Sequence, residues 1–123
     1  MTNPTPGSAP PRGPLTTHIL DVSLGKPASG VAVRLHRLEG EVFLDLGGGV
    51  TDADGRLAGL LPPGALHRGT YRLTFAVGDY FAASQRPSFY PYVEVVFAVE
   101  SPDQHHHVPL LLSPFGYSTY RGS

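Results

Sequence analysis

Hydrophobic and polar residues alternate with a period of two along several short stretches of the chain. In the clearest stretch, large apolar side chains occupy every second position: Tyr71, Leu73, Phe75 and Val77. Successive side chains of a β-strand point to opposite faces, so this spacing predicts a strand with one buried face. Similar patterns predict strands at residues 16–22, 31–36, 92–99 and 105–112, and weaker ones predict short strands at 41–46, 57–60 and 117–121.

Two segments interrupt this alternation. Residues 78–85 contain alanines that suit a helix, with Asp79 as the expected N-cap and Pro87 limiting any continuation, so one short helix is predicted. The glycines at 47–49 and the sequence DADG at 52–55 predict a long, turn-rich loop that ends at Arg56.

About eight short strands with a single helix indicate an all-β fold, in which two antiparallel sheets pack as a β-sandwich. The chain contains 15 glycines and 13 prolines, which suit short strands joined by turns. No pattern predicts a parallel crossover. Residues 1–14 contain five prolines and are expected to form a disordered leader, whereas residues 15–123 are expected to form one domain.

Charge and composition argue against several classes of partner. The formal net charge of -1 provides no surplus of cations for nucleic acid or an anionic membrane surface. The chain has no cysteine, so neither a disulfide nor a thiolate metal site can form. The sequence shows no signal peptide, lipidation motif or peroxisomal tripeptide, and a cytoplasmic location is therefore expected.

Histidine and arginine supply the candidate chemistry. On a strand, His105 and His107 share a face and His106 points away. The triplet is therefore either the polar, exposed start of a strand or a pair of imidazoles that can bind a metal. Neither cysteine nor a run of carboxylates completes a ligand set, so no metal is predicted. His18 could be a structural or a catalytic histidine, and Arg56 could serve a turn or grip an oxyanion. The residues alone leave these alternatives open.

Four segments together carry a resemblance to a known family: LTTHILD at 15–21, TDADGR at 51–56, HHHVPLLLSP at 105–114 and YSTYRGS at 117–123. With these segments the chain resembles the 5-hydroxyisourate hydrolases of the transthyretin-like family from Leu15 to Ser123. The resemblance implies a transthyretin-like β-sandwich that hydrolyses 5-hydroxyisourate to 2-oxo-4-hydroxy-4-carboxy-5-ureidoimidazoline in urate degradation. It also implies a homotetramer with active sites at the dimer–dimer interface, and no cofactor.

By the same resemblance, the catalytic residues are His18, Arg56 and His107, and Tyr120 and Ser123 join them in binding the substrate. His18 and His107 would form the acid–base pair that activates water, with the choice of base left open. His106 departs from the aromatic residue common in the family. The alternative function is that of a small-ligand carrier, as in transthyretin, and a metal-binding or purely structural sandwich ranks last.

Overall fold

The computed structural model describes residues 13–123, so all but the last two residues of the predicted leader lie outside the described part. This part contains nine strands and one helix, in the order β1 (Leu15–Asp21), β2 (Lys26–Pro27), β3 (Ala32–Glu39), β4 (Val42–Val50), β5 (Arg56–Leu57), β6 (Gly69–Phe75), α1 (Val77–Ala83), β7 (Val93–Val99), β8 (His106–Ser113) and β9 (Gly116–Thr119). Within residues 13–123, no helix is both long and apolar enough to cross a membrane.

The strands form two sheets that pack face to face, which confirms the predicted β-sandwich. One sheet has the order β2-β1-β8-β9, with β5 also paired to β1, and the other has the order β4-β3-β6-β7. The alternating apolar residues fill the space between the sheets and are fully buried: Leu15, Ile19, Val33, Leu35, Tyr71, Leu73, Phe75, Leu110 and Leu112. Burial of this apolar surface is the main force that holds the sheets together.

The prediction that both sheets are antiparallel is wrong for one pair of strands. β1 and β8 run parallel, from Leu15 opposite His106 to Asp21 opposite Leu112. The other strand pairings of the described chain are antiparallel. Two strands joined by a hairpin must run antiparallel, but β1 and β8 are separated in the chain by all four strands of the other sheet. The alternation of residues within a strand does not show whether its neighbour runs parallel or antiparallel.

The three glycines at 47–49 belong to β4. The prediction that they form part of a turn-rich loop is therefore wrong. The β3–β4 register shifts between Leu35 and His36, where Leu46 is the extra residue of a bulge in β4. A Cβ on Gly48 would collide with the carbonyl oxygen of Val33, and one on Gly49 would lie 2.9 Å from Cδ1 of Leu57. Glycine is required at position 48 because the two backbones approach so closely, whereas at position 49 the end of the Leu57 side chain would have to shift.

The helix lies where it was predicted, but its N-cap is Ala76, and no side chain caps it. Asp79 sits inside the first turn, where a negative charge favours the helix dipole. The segment is fixed to the end of β1 by Asp21, whose buried carboxylate accepts hydrogen bonds from Tyr80 and Arg86 at 2.8 Å each. Burial alone would raise the pKa of Asp21, but its hydrogen bonds, from Ser23, Arg86 and Tyr80, lower that pKa below its ordinary value.

Candidate active site

Three strands bring the predicted catalytic residues together on the outer face of the β1-containing sheet. In β1, Thr16 and His18 point away from the core because Leu15 and Ile19 point into it. The parallel register places Thr16 opposite His107 on β8, and the β1–β5 pairing places His18 opposite Arg56. The site is therefore built around the β1–β8 pair that the sequence pattern did not reveal.

A cavity of about 110 Å³ lies between these strands and the C-terminal residues. Its lining includes Thr16, Arg56, His107 and Ser123. Arg56 is exposed, whereas His18 and His107 are partly buried. An exposed arginine and the partly buried imidazole of His107 thus line the same cavity.

The turn before β5 presents Arg56 from a fixed backbone. Asp52 accepts hydrogen bonds from the backbone N–H groups of Asp54 and Arg56, each at 2.9 Å, and so holds the turn together. Gly55 has a φ of +73°, and a Cβ there would collide with the carbonyl oxygen of Ile19. Only glycine satisfies both conditions, and its close approach holds the turn against β1.

His107 is surrounded by groups that disfavour its positive charge. Burial lowers its pKa most, and the charges of His105, His18 and Arg56 lower it further, whereas a backbone hydrogen bond at Thr16 acts in the opposite direction. The net pKa of His107 is below its ordinary value. Its imidazole is consequently neutral near pH 7 and able to accept a proton.

Thr16 is a residue of the site that sequence reasoning missed. Its Oγ1 lies 2.8 Å from Nδ1 of His107 and 3.0 Å from Nε2 of His105. The two-residue spacing from His18 could have indicated that Thr16 shares the face of that histidine. Its contact with His107, however, depends on the parallel register of β1 and β8.

The C-terminal residues lie against His107 and do not form a frayed tail. The backbone N–H of Gly122 donates to the carbonyl oxygen of His107 at 2.8 Å, and Arg121 donates to Oε1 of Gln104 at 3.2 Å. A Cβ on Gly122 would lie 2.5 Å from Cδ2 of His107, so glycine lets the chain pass directly over the imidazole. The sequence analysis included Gly122 in the segment at 117–123 but predicted no role for this residue.

Tyr120 lies beside the cavity that contains Arg56 and Ser123, rather than in it. It lines a neighbouring, mostly apolar cavity of about 230 Å³, together with Val95, Phe97 and His106. His107 contributes to both cavities. The structure therefore gathers Arg56, His107 and Ser123 around one cavity, with His18 paired to Arg56 in the sheet. Tyr120 lines the neighbouring cavity, which it shares with His107.

The histidine triplet has the alternation expected of a strand. The rings of His105 and His107 stack on one face, with centroids 6.2 Å apart and planes at 18°. His106 is 4% exposed, and its Nδ1 lies 2.9 Å from the carbonyl oxygen of Gln104. Across residues 13–123, no group of three or more His, Cys, Asp or Glu side chains is arranged to hold a metal ion.

A two-sheet sandwich with an open histidine–arginine site on the outer face of one sheet defines a protein of the transthyretin-like class. The family model described as HIUase/Transthyretin family matches residues 15–122, and the chain belongs to this family. The 5-hydroxyisourate hydrolase of Caulobacter vibrioides is 58% identical over 113 residues, covering 89% of this chain and 97% of that protein. The mouse 5-hydroxyisourate hydrolase is 50% identical over 112 residues, covering 89% and 95%.

Solved structures of both branches of the family resemble this chain. Klebsiella pneumoniae 5-hydroxyisourate hydrolase has a TM-score of 0.76 at 44% identity, covering 89% of this chain and 92% of that one. Sea bream transthyretin, solved in complex with thyroxine, has a TM-score of 0.84 at 32% identity, covering 89% and 94%. An (S)-allantoin synthase has a TM-score of 0.83 at 42% identity, but this chain spans only 44% of its length. The fold is common to all three, so function must be argued from the site.

Proposed function

We propose that this protein hydrolyses 5-hydroxyisourate to 2-oxo-4-hydroxy-4-carboxy-5-ureidoimidazoline, a step of urate degradation. The proposal is supported by relatives named 5-hydroxyisourate hydrolase that are 50% and 58% identical over almost their entire length. The single observation that carries it is the convergence of His18, Arg56 and His107 on one open sheet face. An apolar ligand carried without reaction would need none of these groups.

The reaction requires water to lose a proton, a cyclic amide carbonyl to gain negative charge, and the leaving nitrogen to gain a proton. His18 and His107 form the acid–base pair in this proposal. His107 is the better candidate for the base because its lowered pKa keeps it neutral near pH 7. Nδ1 of His107 contacts Thr16, so Nε2 is the nitrogen that a water molecule in the cavity would approach.

Arg56 has the geometry of an anion-binding group. Arg56 is exposed and lines the cavity, and Asp52 and Gly55 fix the turn that carries it. A planar guanidinium can bind two substrate oxygens and stabilise the negative charge that develops on the carbonyl. Ser123 lines the same cavity and is assigned to substrate binding, and Tyr120 is assigned to the wall that the adjoining cavity shares with His107.

We further propose that the chain assembles as a homotetramer with its sites at the dimer–dimer interface. β7 and β9 end their sheets and leave backbone hydrogen-bonding groups free to pair with another copy. Apolar residues near these edges are more than half exposed, among them Val96 at 57%, Phe115 at 67% and Phe89 at 70%. Light scattering after size exclusion should give four times the chain mass of 13.1 kDa. A cytoplasmic location stays a prediction from the sequence.

The hydrolase activity is tested by adding the protein to freshly made 5-hydroxyisourate and following the decay of its ultraviolet absorbance. We expect decay faster than the spontaneous rate, and a loss of about 10²-fold or more in kcat for His107→Asn. His67→Asn is the matched control because His67 is exposed and lies outside the site. Undiminished hydrolysis by His107→Asn would remove that residue from the mechanism. No acceleration by the unmodified protein, together with thyroxine binding, would favour the carrier function.

A further inference from the structure

A single hydroxyl group joins the imidazole in the candidate site to a second imidazole outside it. Thr16 Oγ1 lies 2.8 Å from Nδ1 of His107 and 3.0 Å from Nε2 of His105. Thr16 is only 4% exposed. The three groups therefore form a continuous hydrogen-bonded row from His107 on β8, through Thr16 on β1, to His105 just before β8, and its central hydroxyl is shielded from competing water.

A count of hydrogens limits how this row can be bonded. A threonine hydroxyl has one hydrogen to donate and lone pairs to accept with, so donating to one imidazole leaves it to accept from the other. If Thr16 donates to His105, then Nδ1–H of His107 donates to Thr16, and Nε2 of His107 carries a lone pair. If Thr16 donates to His107, then Nε2–H of His105 donates to Thr16, and Nε2 of His107 carries the hydrogen. The first arrangement becomes the second when Nε2 of His107 gains a proton, each hydrogen of the row moves to the next heavy atom, and Nδ1 of His105 loses its proton.

The two ends of the row open onto different cavities. His107 and Thr16 line the cavity of the candidate site, about 110 Å³ in volume. His105 lines a separate, open cleft of about 420 Å³, whose wall also includes Asp103 and Gln104. A proton that leaves the site along the row would thus reach solvent without passing through the space that the substrate occupies.

Positive charge on His107 is unfavourable in its surroundings. Burial, His105, His18 and Arg56 each lower its pKa. If His107 acted as a simple base, it would have to carry the proton taken from water as a full imidazolium charge next to Arg56. A path that removes one proton as another arrives avoids this charge.

We propose that Thr16 is a positioning residue that couples His107 to His105 as a proton relay, an inference that rests on the proposed hydrolysis. As water attacks the amide carbonyl, a proton passes from water to Nε2 of His107, and the Nδ1 proton of His107 passes to Oγ1 of Thr16. The hydroxyl proton of Thr16 passes to Nε2 of His105, which releases its Nδ1 proton to solvent in the cleft.

The same row resets when the amide bond breaks. His107 donates its Nε2 proton to the leaving nitrogen, and Thr16 returns a proton to Nδ1 of His107. His105 then returns its Nε2 proton to Thr16 and takes one from solvent at Nδ1. His107 thereby takes and returns the proton while it stays neutral at both stages, and His18, its partner in the acid–base pair, helps to position the water.

The kinetic test uses Thr16→Val, which removes the hydroxyl with little change of shape, and Thr16→Ser, which retains it. We expect Thr16→Val to lower kcat about tenfold or more with KM within about twofold, and Thr16→Ser to stay within about threefold in kcat. Thr51→Val is the matched control because Thr51 is also 4% exposed, and its hydroxyl makes two hydrogen bonds away from the site. A kcat unchanged in Thr16→Val, or lowered equally in Thr51→Val, would overturn the relay.

A double-mutant cycle separates coupling from structural damage. His105→Gln can still hydrogen-bond to Thr16 but cannot exchange a proton, so we expect it to lower kcat about as much as Thr16→Val. Because both changes interrupt one path, the double variant should be no slower than the slower single variant. Multiplied effects would mean that the two residues act independently, which contradicts the proposal.

A spectroscopic measurement tests the relay without reference to activity. Above the histidine titration range, both bonding arrangements give His105 and His107 the same tautomer, either both Nδ1–H or both Nε2–H. The imidazole ¹⁵N chemical shifts of the unmodified protein should therefore report the same tautomer for His105 and His107. In Thr16→Val, the tautomer of one histidine should no longer depend on that of the other. Fixed opposite tautomers in the unmodified protein would refute the relay. If the unmodified protein does not accelerate 5-hydroxyisourate decay but its tautomers match, the proposed function fails and the hydrogen-bonded coupling survives.

Discussion

Gly122→Ala should impair hydrolysis by displacing one imidazole. The added Cβ would lie 2.5 Å from Cδ2 of His107 and 3.0 Å from Cγ of Pro109, whereas ordinary contacts begin at 3.4 Å. Pro109 is buried and rigid, so either the His107 ring or the C-terminal backbone must move by about 1 Å. A misplacement of that size in a catalytic group costs about 10²-fold in rate.

The assay for this prediction compares kcat for 5-hydroxyisourate with the thermal midpoint of the same sample. Gly122 follows the last strand, so we expect the midpoint to change by no more than a few degrees, as for a perturbation of about 0.5 kcal/mol. Gly116→Ala is the control because its Cβ would meet only Oγ of Ser113, at 3.7 Å. Full activity of Gly122→Ala would refute the argument that this glycine sets the position of His107.

Three further predictions concern charge and the C-terminus. The pKa of His107 lies below its ordinary 6.5, so kcat/KM should stay constant as the pH falls past 6.5 and should decline only as the pH passes the lowered pKa. Arg56→Gln removes a positive charge that lowers this pKa, so in the variant the decline should occur at a higher pH. Asp21→Asn should reduce the free energy of unfolding by about 3 kcal/mol in urea titrations at pH 7, because Arg86 loses its buried partner. Since the pKa of Asp21 is lowered, its contribution is present above pH 3.8 and is lost as the pH falls through the folded-state pKa, a loss that the variant should lack. Deleting residues 120–123 should abolish hydrolysis while circular dichroism still shows a folded sandwich, and retained activity would remove the tail from the site.

Much of the fold follows from local pattern. The alternation of apolar residues at Tyr71, Leu73 and Phe75 identified β6 and its buried face, because a strand exposes every second side chain to the same side. The segment that contains the helix could be identified, but the predicted N-cap, Asp79, lies inside the observed helix, which begins at the buried Val77. Gly47–49 were misassigned since glycine favours turns locally but also permits close strand approach.

The candidate site was only partly visible in the sequence. His18, Arg56 and His107 were named from a family resemblance, whereas periodicity alone could say no more than that His105 and His107 share a face. Thr16 and Gly122 have no chemical distinction in the sequence, and each acquires its role by contact with His107. Such contacts join residues that are 15 to 91 positions apart, which no local pattern can encode.

The sequence by itself determined the class of fold, the positions of the strands and the residue types available for chemistry. These depend on side-chain periodicity and composition, which are local properties of the chain. Only the tertiary structure decided that β1 and β8 run parallel, that Thr16 lies between two imidazoles, and that the C-terminal glycine passes over His107. Strand direction and register arise from the packing of the whole sandwich, because burying all the apolar faces at once selects one arrangement among those that the local patterns allow.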